Sequence, residues 1–254
     1  MHILKSLAIA FSVYSRIPVP QFAWKEEDLN YMLCFFPWVG AVIGTLVYAW
    51  DWLCGSLMIG EMCRTLAGCG IPLLVTGGFH ADGFLDTVDG FCSYSPKEKK
   101  LEIIKDVHIG AFAVIRFALY GLIYLGAFSE VRDKGILRAV CAGFFLARCL
   151  SGIGVLSFPR AKEEGMVHRF AEGAKKRSVK WLLYFQSICC ILFMLCQSLF
   201  AGIIAAAAFL AFACYYVRTK RELGGITGDT AGYFVLICEG SMMAAAAGIN
   251  ILFF

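Results

Sequence analysis

The sequence predicts an all-α fold: a polytopic integral membrane helical bundle of about seven transmembrane helices, preceded by an N-terminal interfacial helix. Three observations predict it. The 254 residues are 59% hydrophobic and only 17% charged, and the mean hydropathy is +0.71, well above that of an ordinary soluble domain. Apolar stretches close to the roughly 20 residues that a crossing helix needs also recur along the chain.

The predicted elements follow these stretches in order. The residues up to Tyr14 are too few to cross a bilayer, so we expect them to lie at its surface. The seven predicted crossing segments are residues 31–50, 65–79, 109–128, 136–158, 181–199, 201–217 and 232–254. The second is short unless it continues into the motif that follows it. Because no repeat or linker is visible, we treat residues 1–254 as one membrane-embedded domain.

The distribution of Lys and Arg orients the bundle. With seven crossings and the first residues in the cytoplasm, 17 of the 23 Lys and Arg residues fall on the cytoplasmic side and four on the other. The positive-inside rule favours this orientation. The net charge of +4 follows from the same loops, so it indicates anionic ligands and membrane orientation rather than nucleic-acid binding.

Residues 77–90, GGFHADGFLDTVDG, hold three carboxylates. In a helix, Asp82, Asp86 and Asp89 share one face at spacings i, i+4 and i+7. No Lys or Arg occurs between residues 65 and 96, so these charges repel one another without a local counter-charge. Hard oxygen ligands of this kind suit Mg²⁺, which protein carboxylates commonly share with substrate phosphates. A solvated helix face is the alternative, but the neighbouring residues are largely apolar.

Three other residues of this motif have two interpretations each. Gly83 and Gly90 form a stripe beside the acidic face, where a large ligand or another helix can approach closely. His80 points to the opposite face of the helix. It is a catalytic candidate if the helix begins after it, and an interfacial histidine otherwise. Farther upstream, Gly40 and Gly44 have the GxxxG spacing that is typical of close helix packing.

A second motif, GGITGDT at residues 224–230, precedes the last apolar segment. Its glycines allow backbone N–H groups to converge, and a helix that starts near Asp229 would present its positive end to a phosphate. A turn that caps the last helix through Thr227 or Asp229 would look the same. The sequence leaves both interpretations open.

Isolated charges inside or beside the apolar segments are further candidates. Glu239 has no charged neighbour in its segment, which predicts a partner such as Arg148 or Arg116, or a water-filled cavity. Arg160 and Lys162 stand at the end of a predicted crossing. Arg matches phosphate oxygens with a planar fork, although basic residues are also expected there from orientation alone.

Together these motifs resemble the adenosylcobinamide-GDP ribazoletransferases, or cobalamin synthases. The matching stretches are residues 15–20, 36–40, 77–90, 105–106 with 109–111, 163–165, and 224–230 with Glu239. They run in order over nearly the whole chain. One departure is that the family usually has Ser-Arg after the aspartate at position 106, where this chain has Val107-His108. A phosphate contact of that arginine therefore does not carry over.

The resemblance implies a Mg²⁺-dependent phosphotransferase. It would be a multi-pass protein of a prokaryotic cytoplasmic membrane, with its active site on the cytoplasmic side. It would join adenosylcobinamide-GDP to α-ribazole or α-ribazole 5′-phosphate, release GMP and form adenosylcobalamin or its phosphate, a late step of cobalamin biosynthesis. The implied partners are these substrates and the lipid bilayer, with no nucleic acid, and the oligomeric state is left open, a homo-oligomer included.

The residues of these motifs fit that chemistry, and we predict a role for each of them. We predict Asp82, Asp86, Asp89 and Asp229 as metal ligands, and Asp89 and His80 as catalytic residues. The substrate-binding residues are Arg16, Lys105, Asp106, Arg148, Arg160, Lys162, Gly225, Thr227, Gly228, Thr230 and Glu239. Spacing does not distinguish the carboxylate that acts as a base from those that bind metal.

Two other classes of protein remain as alternatives. The CDP-alcohol phosphotransferases of lipid synthesis also use helix-borne aspartates, but their usual motif has Ala-Arg where this chain has Leu85-Asp86. An ion-coupled transporter would use Asp86, Glu239 and Arg148 as gating charges. Transporters usually place such residues near the bilayer midplane and show internal repeats, whereas the acidic motif lies at a helix end and occurs once.

Overall fold

The computed structural model describes residues 2–20, 22–161 and 175–254, and in these ranges the chain is helical without a β-strand. This confirms the all-α prediction. The helices are α1 (His2–Tyr14), α2 (Met32–Ser56), α3 (Glu61–Thr76), α4 (Phe79–Cys92), α5 (Lys97–Ile103), α6 (Ala111–Glu130), α7 (Lys134–Ser157), α8 (Lys176–Gln197), α9 (Ala201–Leu223) and α10 (Gly228–Phe253), with a short 3₁₀ helix at Glu26–Leu29.

Six of the helices in the described ranges, α2 and α6 to α10, are long and apolar enough to cross a membrane. The pair α3 and α4 raises the number to seven if it forms a single crossing, but the two helices meet at an angle of 91°. The second predicted segment is therefore not a straight helix. It ends at Thr76, and α4 leaves it at a right angle. Helix α1 has 13 residues, too few to span a bilayer, as predicted.

Helix α7 forms the centre of the bundle. It contacts α2, α8, α9 and α10, and 83% of its most apolar stretch is buried. Its contact with α2 depends on Gly40 and Gly44, because a Cβ atom on either residue would overlap the carbonyl group of Phe144 or Cys141 on α7. The GxxxG spacing thus serves close helix packing, as predicted.

Polar contacts tie several helix ends together at one end of the bundle. Arg64 on α3 donates from Nε to Asp51 Oδ1 on α2 and from a terminal nitrogen to the Val131 carbonyl, each at 2.7 Å. Asn250 Oδ1 near the end of α10 accepts the backbone N–H of Arg132 at 3.0 Å. The α2–α3 turn, the α6–α7 turn and the end of α10 therefore share one end, and α4, α5 and the start of α10 belong to the other.

Replacing Gly44 with Ala is expected to lower the unfolding temperature in detergent, because the added Cβ would overlap the Cys141 carbonyl. Without that contact, Ala would stabilise a helix interior by about 0.5–1 kcal/mol relative to Gly. Gly55→Ala is the matched control, since Gly55 lies on the same helix with open space around its Cβ position. Equal or higher stability of Gly44→Ala in a thermal unfolding assay would contradict the packing.

Candidate active site

The turn between α3 and α4 consists of Gly77 and Gly78, whose φ angles of 62° and 81° are left-handed. Glycine adopts this conformation without steric cost because it lacks a Cβ atom. The side chain of Arg16 lies directly against Gly77, and the Arg16 backbone N–H donates to the Val75 carbonyl at 2.8 Å. Arg16, a predicted phosphate contact, is therefore held at the start of α4.

Helix α4 carries the predicted acidic face. Asp82 is exposed, and Asp86 and Asp89 are partly buried. The other side of the helix is in the core, where Phe84 and Phe91 are buried against the bundle. The helical spacing of the three aspartates is confirmed.

Asp229 joins this acidic face because α4 and α10 touch at Gly83. A Cβ atom on Gly83 would lie 2.7 Å from the Asp229 carbonyl oxygen and 3.1 Å from its Cα atom, too close for any other residue at this position. Gly90 has the same role toward α5, where the Lys100 carbonyl oxygen and the side chain of Ile104, just after the helix, fill the space. Both members of the predicted glycine stripe are thus occupied by neighbouring helices.

The four carboxylates interact electrostatically. Asp86 is repelled by each of the other three, and Asp82 also repels Asp229. Lys105 attracts Asp229. In the described part of the chain, however, none of the four carboxylates is in an ion pair. The site gathers negative charge that the protein itself does not neutralise.

A divalent cation fits this site by charge and by ligand type, since carboxylate oxygens are the donors that Mg²⁺ prefers. Within residues 2–20, 22–161 and 175–254, no three His, Cys, Asp or Glu side chains are placed to hold one metal ion. The four predicted ligands thus do not form a complete cage. Mg²⁺ is usually bound through one or two carboxylates together with substrate phosphates and water, an arrangement that does not require a complete cage of protein ligands.

Asp89 differs from the other three because it contacts α6. The Gly110 N–H donates to Asp89 Oδ2 at 2.9 Å, immediately before the first residue of α6. The carboxylate thereby satisfies one donor at a helix N-terminus and interacts favourably with the helix dipole. Asp89 fixes α6 against α4, and its roles in metal binding and catalysis stay predictions.

The GGITGDT motif forms the cap of α10. The Thr230 N–H donates to Thr227 Oγ1 at 3.2 Å, and the Thr227 N–H donates to Thr230 Oγ1 at 2.8 Å, a reciprocal capping box. The capping interpretation is confirmed, and Thr230 is fully buried, so its side chain positions the helix start. Gly228 is exposed in the first turn beside Asp229.

Gly225 allows this motif to pack against the segment after α7. A Cβ atom there would lie 2.5 Å from the Pro159 carbonyl oxygen. The Ile226 N–H donates to the same carbonyl at 2.9 Å, and a parallel bridge pairs Ile226 with Arg160. Arg160 is thus fixed beside the start of α10. Lys162, the other predicted phosphate contact of this segment, lies outside the described residues.

Lys105 and Asp106 follow α5, in the turn that leads to α6. The His108 N–H donates to Asp106 Oδ1 at 2.9 Å, and His108 Nδ1 lies 2.8 Å from the same oxygen. These hydrogen bonds hold the pKa of Asp106 below its usual range. Asp106 therefore orders this turn and, with it, the position of Lys105.

Arg148 and Glu239 form an ion pair inside the bundle. The Arg148 guanidinium donates to Glu239 Oε1 at 2.6 Å and to the Phe144 carbonyl at 2.8 Å, and the two side chains are only 1% and 6% exposed. Of the partners predicted for Glu239, which were Arg148, Arg116 or a water-filled cavity, the structure pairs it with Arg148. The pair is buried beside His80 and Ala81 of α4, and the phosphate contact of Arg148 stays a prediction.

His80 lies on the inner face of α4 and is 3% exposed. Its ring stacks 5.7 Å from that of Phe36, and neither ring nitrogen has a hydrogen-bond partner in the described ranges. A catalytic role required the helix to begin after His80, but α4 begins at Phe79. The helix therefore turns His80 away from the carboxylates and not toward them.

Arg218 was not singled out by the sequence pattern, yet it joins three helices at the acidic end. It donates to Glu222 on α9 at 3.1 Å and to the Tyr233 hydroxyl on α10 at 3.2 Å, and its guanidinium lies 4.1 Å from the ring centroid of Phe91 on α4. Lys100 on α5 also donates to Glu222, at 2.9 Å. The i, i+4 spacing of Arg218 and Glu222 was the available signal.

Comparison with known proteins identifies the family. The family described as cobalamin-5-phosphate synthase matches residues 6–247. This chain belongs to that family. A relative from Lachnoclostridium phytofermentans, named adenosylcobinamide-GDP ribazoletransferase, is 39% identical over 96% of this chain and 93% of its own. Relatives with the same name come from Listeria monocytogenes, 31% identical over 90% and 92% of the two chains, and Clostridium perfringens, 28% identical over 92% and 94%. No solved structure matches the chain.

The cobalamin-5-phosphate synthase match includes every candidate site residue, from Arg16 to Glu239. It favours this family over the CDP-alcohol phosphotransferases and over an ion-coupled transporter. The alignments with the relatives cover nearly the whole chain.

Asp86→Asn is expected to raise the unfolding temperature in metal-free detergent solution by about 1–3 °C, because it removes a carboxylate whose charge is disfavoured by partial burial and by repulsion from the other three. Asp106→Asn is the control, since the charge of Asp106 is stabilised by His108 and its removal is not expected to stabilise the protein. Differential scanning fluorimetry measures both. An unfolding temperature of Asp86→Asn at or below that of the wild type would contradict the proposed repulsion.

Proposed function

We propose that the protein is an adenosylcobinamide-GDP ribazoletransferase. It transfers the adenosylcobinamide-phosphate group to α-ribazole or to α-ribazole 5′-phosphate, and GMP leaves. The observation that carries this proposal is the group of four carboxylates, without an ion pair in the described ranges, where α4 meets α10, in a chain of the cobalamin-5-phosphate synthase family. Such a site suits a cation and a diphosphate substrate.

The proposed reaction is a displacement at phosphorus. A ribose hydroxyl of the acceptor attacks the phosphorus that carries the cobinamide group, the P–O bond to GMP breaks, and the hydroxyl proton passes to a base. Negative charge is spread over the equatorial and leaving oxygens in the transition state. Asp89 is our candidate to orient the hydroxyl or to take its proton, because its carboxylate is held by the Gly110 N–H at the start of α6.

Asp82, Asp86 and Asp229 are the residues that would hold Mg²⁺. When bound, Mg²⁺ would neutralise charge on the diphosphate and on the departing GMP. The three carboxylates come from two helices that are locked together at Gly83, so their relative position does not depend on a loop. Precise placement of this kind is what phosphoryl transfer needs from a protein.

Basic residues from three separate segments are our candidates to contact the phosphates. Arg16 lies at the start of α4, Lys105 acts on Asp229, and Arg160 is paired with the backbone beside the start of α10. An arginine can bind a phosphate through two parallel hydrogen bonds. These residues would orient the diphosphate and keep the phosphorus in line for attack.

We propose that the acidic site faces the cytoplasm of a prokaryotic cell, where nucleotides are available. The basic residues near α4, α5 and the start of α10 support this orientation through the positive-inside rule. The opposite end of the bundle has few Lys and Arg residues, and two of them, Arg64 and Lys134, are paired with Asp51.

Asp82→Asn is expected to reduce GMP release from adenosylcobinamide-GDP and α-ribazole by about a hundredfold or more, because it removes an exposed ligand of the cation that stabilises the transition state. Glu98→Gln is the matched control: it removes an exposed carboxylate of the neighbouring α5 and should retain activity. Equal thermal unfolding of both variants would show that folding is intact. Near-wild-type GMP release by Asp82→Asn would show that Asp82 is not a ligand of the catalytic metal. Release of CMP from a CDP-lipid by the wild type would favour the lipid-synthesis alternative.

Chelation provides an independent test. EDTA should abolish GMP release, and added Mg²⁺ should restore it. Because a ligand that binds the folded state stabilises it, Mg²⁺ together with adenosylcobinamide-GDP should raise the unfolding temperature of the wild type, and this rise should be smaller in Asp82→Asn. Full activity in EDTA would overturn the proposed cofactor.

A further inference from the structure

We propose that an apolar cavity between α3, α6 and α10 binds the benzimidazole base of the acceptor nucleoside, an inference that rests on the proposed transferase function. The cavity has a volume of about 280 Å³, near the lower end of the roughly 300–1,000 Å³ that is typical of small-ligand sites. It lies on the opposite side of α4 from the carboxylates and is lined in part by His80 and Ala81 of that helix.

The walls of this cavity are suited to a planar apolar ring. Phe117, Tyr120 and Tyr124 line it from α6, and Leu66 and Leu73 line it from α3. Aromatic side chains pack on flat rings in stacked or edge-on arrangements. A corrinoid is far too large for the space, so the cavity selects the smaller substrate of the proposed reaction.

The floor of the cavity is polar and incompletely paired. His80, Arg148 and Glu239 line it. Three of their nitrogen atoms have no hydrogen-bond partner in the described part of the chain: both ring nitrogens of His80, and Nε of Arg148. Both residues are more than nine-tenths buried. Buried polar groups without partners are costly. These atoms therefore point to a ligand that supplies the missing hydrogen bonds.

The chemistry of the floor and walls together distinguishes among the candidate occupants. The acyl chain of a lipid would fill the walls but offers no polar atom to Arg148 or His80. Guanine carries polar groups along most of its edge, and the apolar walls would leave these groups unpaired. A benzimidazole that is attached to ribose has an apolar body and one ring nitrogen left to accept a hydrogen bond, which an N–H of Arg148 or His80 can donate.

The position of the cavity also connects it with the acidic site. Thr76 lines it just before the α3–α4 bend, and His80 lines it just after, while Asp82 stands two residues farther along α4. The bend contributes no side chains of its own, because it consists of Gly77 and Gly78; the Arg16 side chain covers Gly77, and the space beside Gly78 is open. A nucleoside with its base in the cavity can therefore direct its ribose around the start of α4 toward the carboxylates.

The test fills the cavity and measures acceptor binding directly. Gly121 lines the cavity and has open space around its Cβ position, so Gly121→Leu places a side chain in the proposed base site without displacing the backbone. Gly126→Leu is the matched control, since Gly126 is exposed on the same helix, has open space and does not line the cavity. Leu also favours a helix more than Gly does, so both variants should fold.

Equilibrium dialysis of radiolabelled α-ribazole against protein in lipid nanodiscs should show saturable binding to the wild type and to Gly126→Leu. EDTA is present, and the measurement is made with and without adenosylcobinamide-GDP. Binding to Gly121→Leu should be about tenfold or more weaker, because the leucine occupies the space of the ring. Gly70→Leu fills the cavity from α3, where space is also open, and should have the same effect.

Measuring GMP release as well as binding distinguishes a failure of the base site from a failure of the proposed transferase function. Gly121→Leu should raise the KM for α-ribazole and leave the KM for adenosylcobinamide-GDP unchanged. Wild-type binding of α-ribazole by both cavity variants, or no binding by the wild type under either condition, would overturn the base site even if GMP is released normally. Binding that is lost in Gly121→Leu while the wild type releases no GMP would support the base site and refute the transferase.

Discussion

The structure depends on one contact, the approach of α4 to α10 at Gly83. This contact brings Asp229 to the acidic face of α4 and holds together carboxylates that repel one another. The repulsion is opposed by apolar packing on the other side of α4, where Phe84 stacks on Tyr233 with ring centroids 5.5 Å apart. Because the fold holds these charges close together, the acidic face favours a positively charged ligand.

The remainder of the bundle keeps this contact in place. Helix α7 fills the centre, and the buried pair of Arg148 and Glu239 joins it to α10. Arg218 connects α9, α10 and α4 at the acidic end. A buried ion pair contributes little net stability, because desolvation offsets its Coulomb attraction, but removing one partner is strongly destabilising. Arg148 and Glu239 thus fix the register between α7 and α10 but add little to the free energy of unfolding.

The sequence predicted those features that arise from local periodicity or from a charge that needs a partner. Helical spacing placed Asp82, Asp86 and Asp89 on one face, and the isolated charge of Glu239 indicated Arg148. The right-angle bend was missed because a Gly-Gly pair permits a left-handed turn without requiring one. The role of Gly225 was missed because its neighbours at residues 159–161 are far away in the sequence. For Thr227, a phosphate loop and a helix cap need the same residues, so the cap became visible only in the coordinates, and phosphate binding by this motif stays a prediction.

The right angle at Gly77 and Gly78 also determines where the carboxylates lie. Because α4 turns away from α3 at 91°, Asp82, Asp86 and Asp89 are carried sideways across the end of α3 and not farther along its axis. The acidic face thereby reaches the first turn of α10, where Asp229 stands beside Gly83. A single straight helix over residues 61–92 would have pointed the three aspartates away from that turn, so two glycines without side chains decide which residues become neighbours.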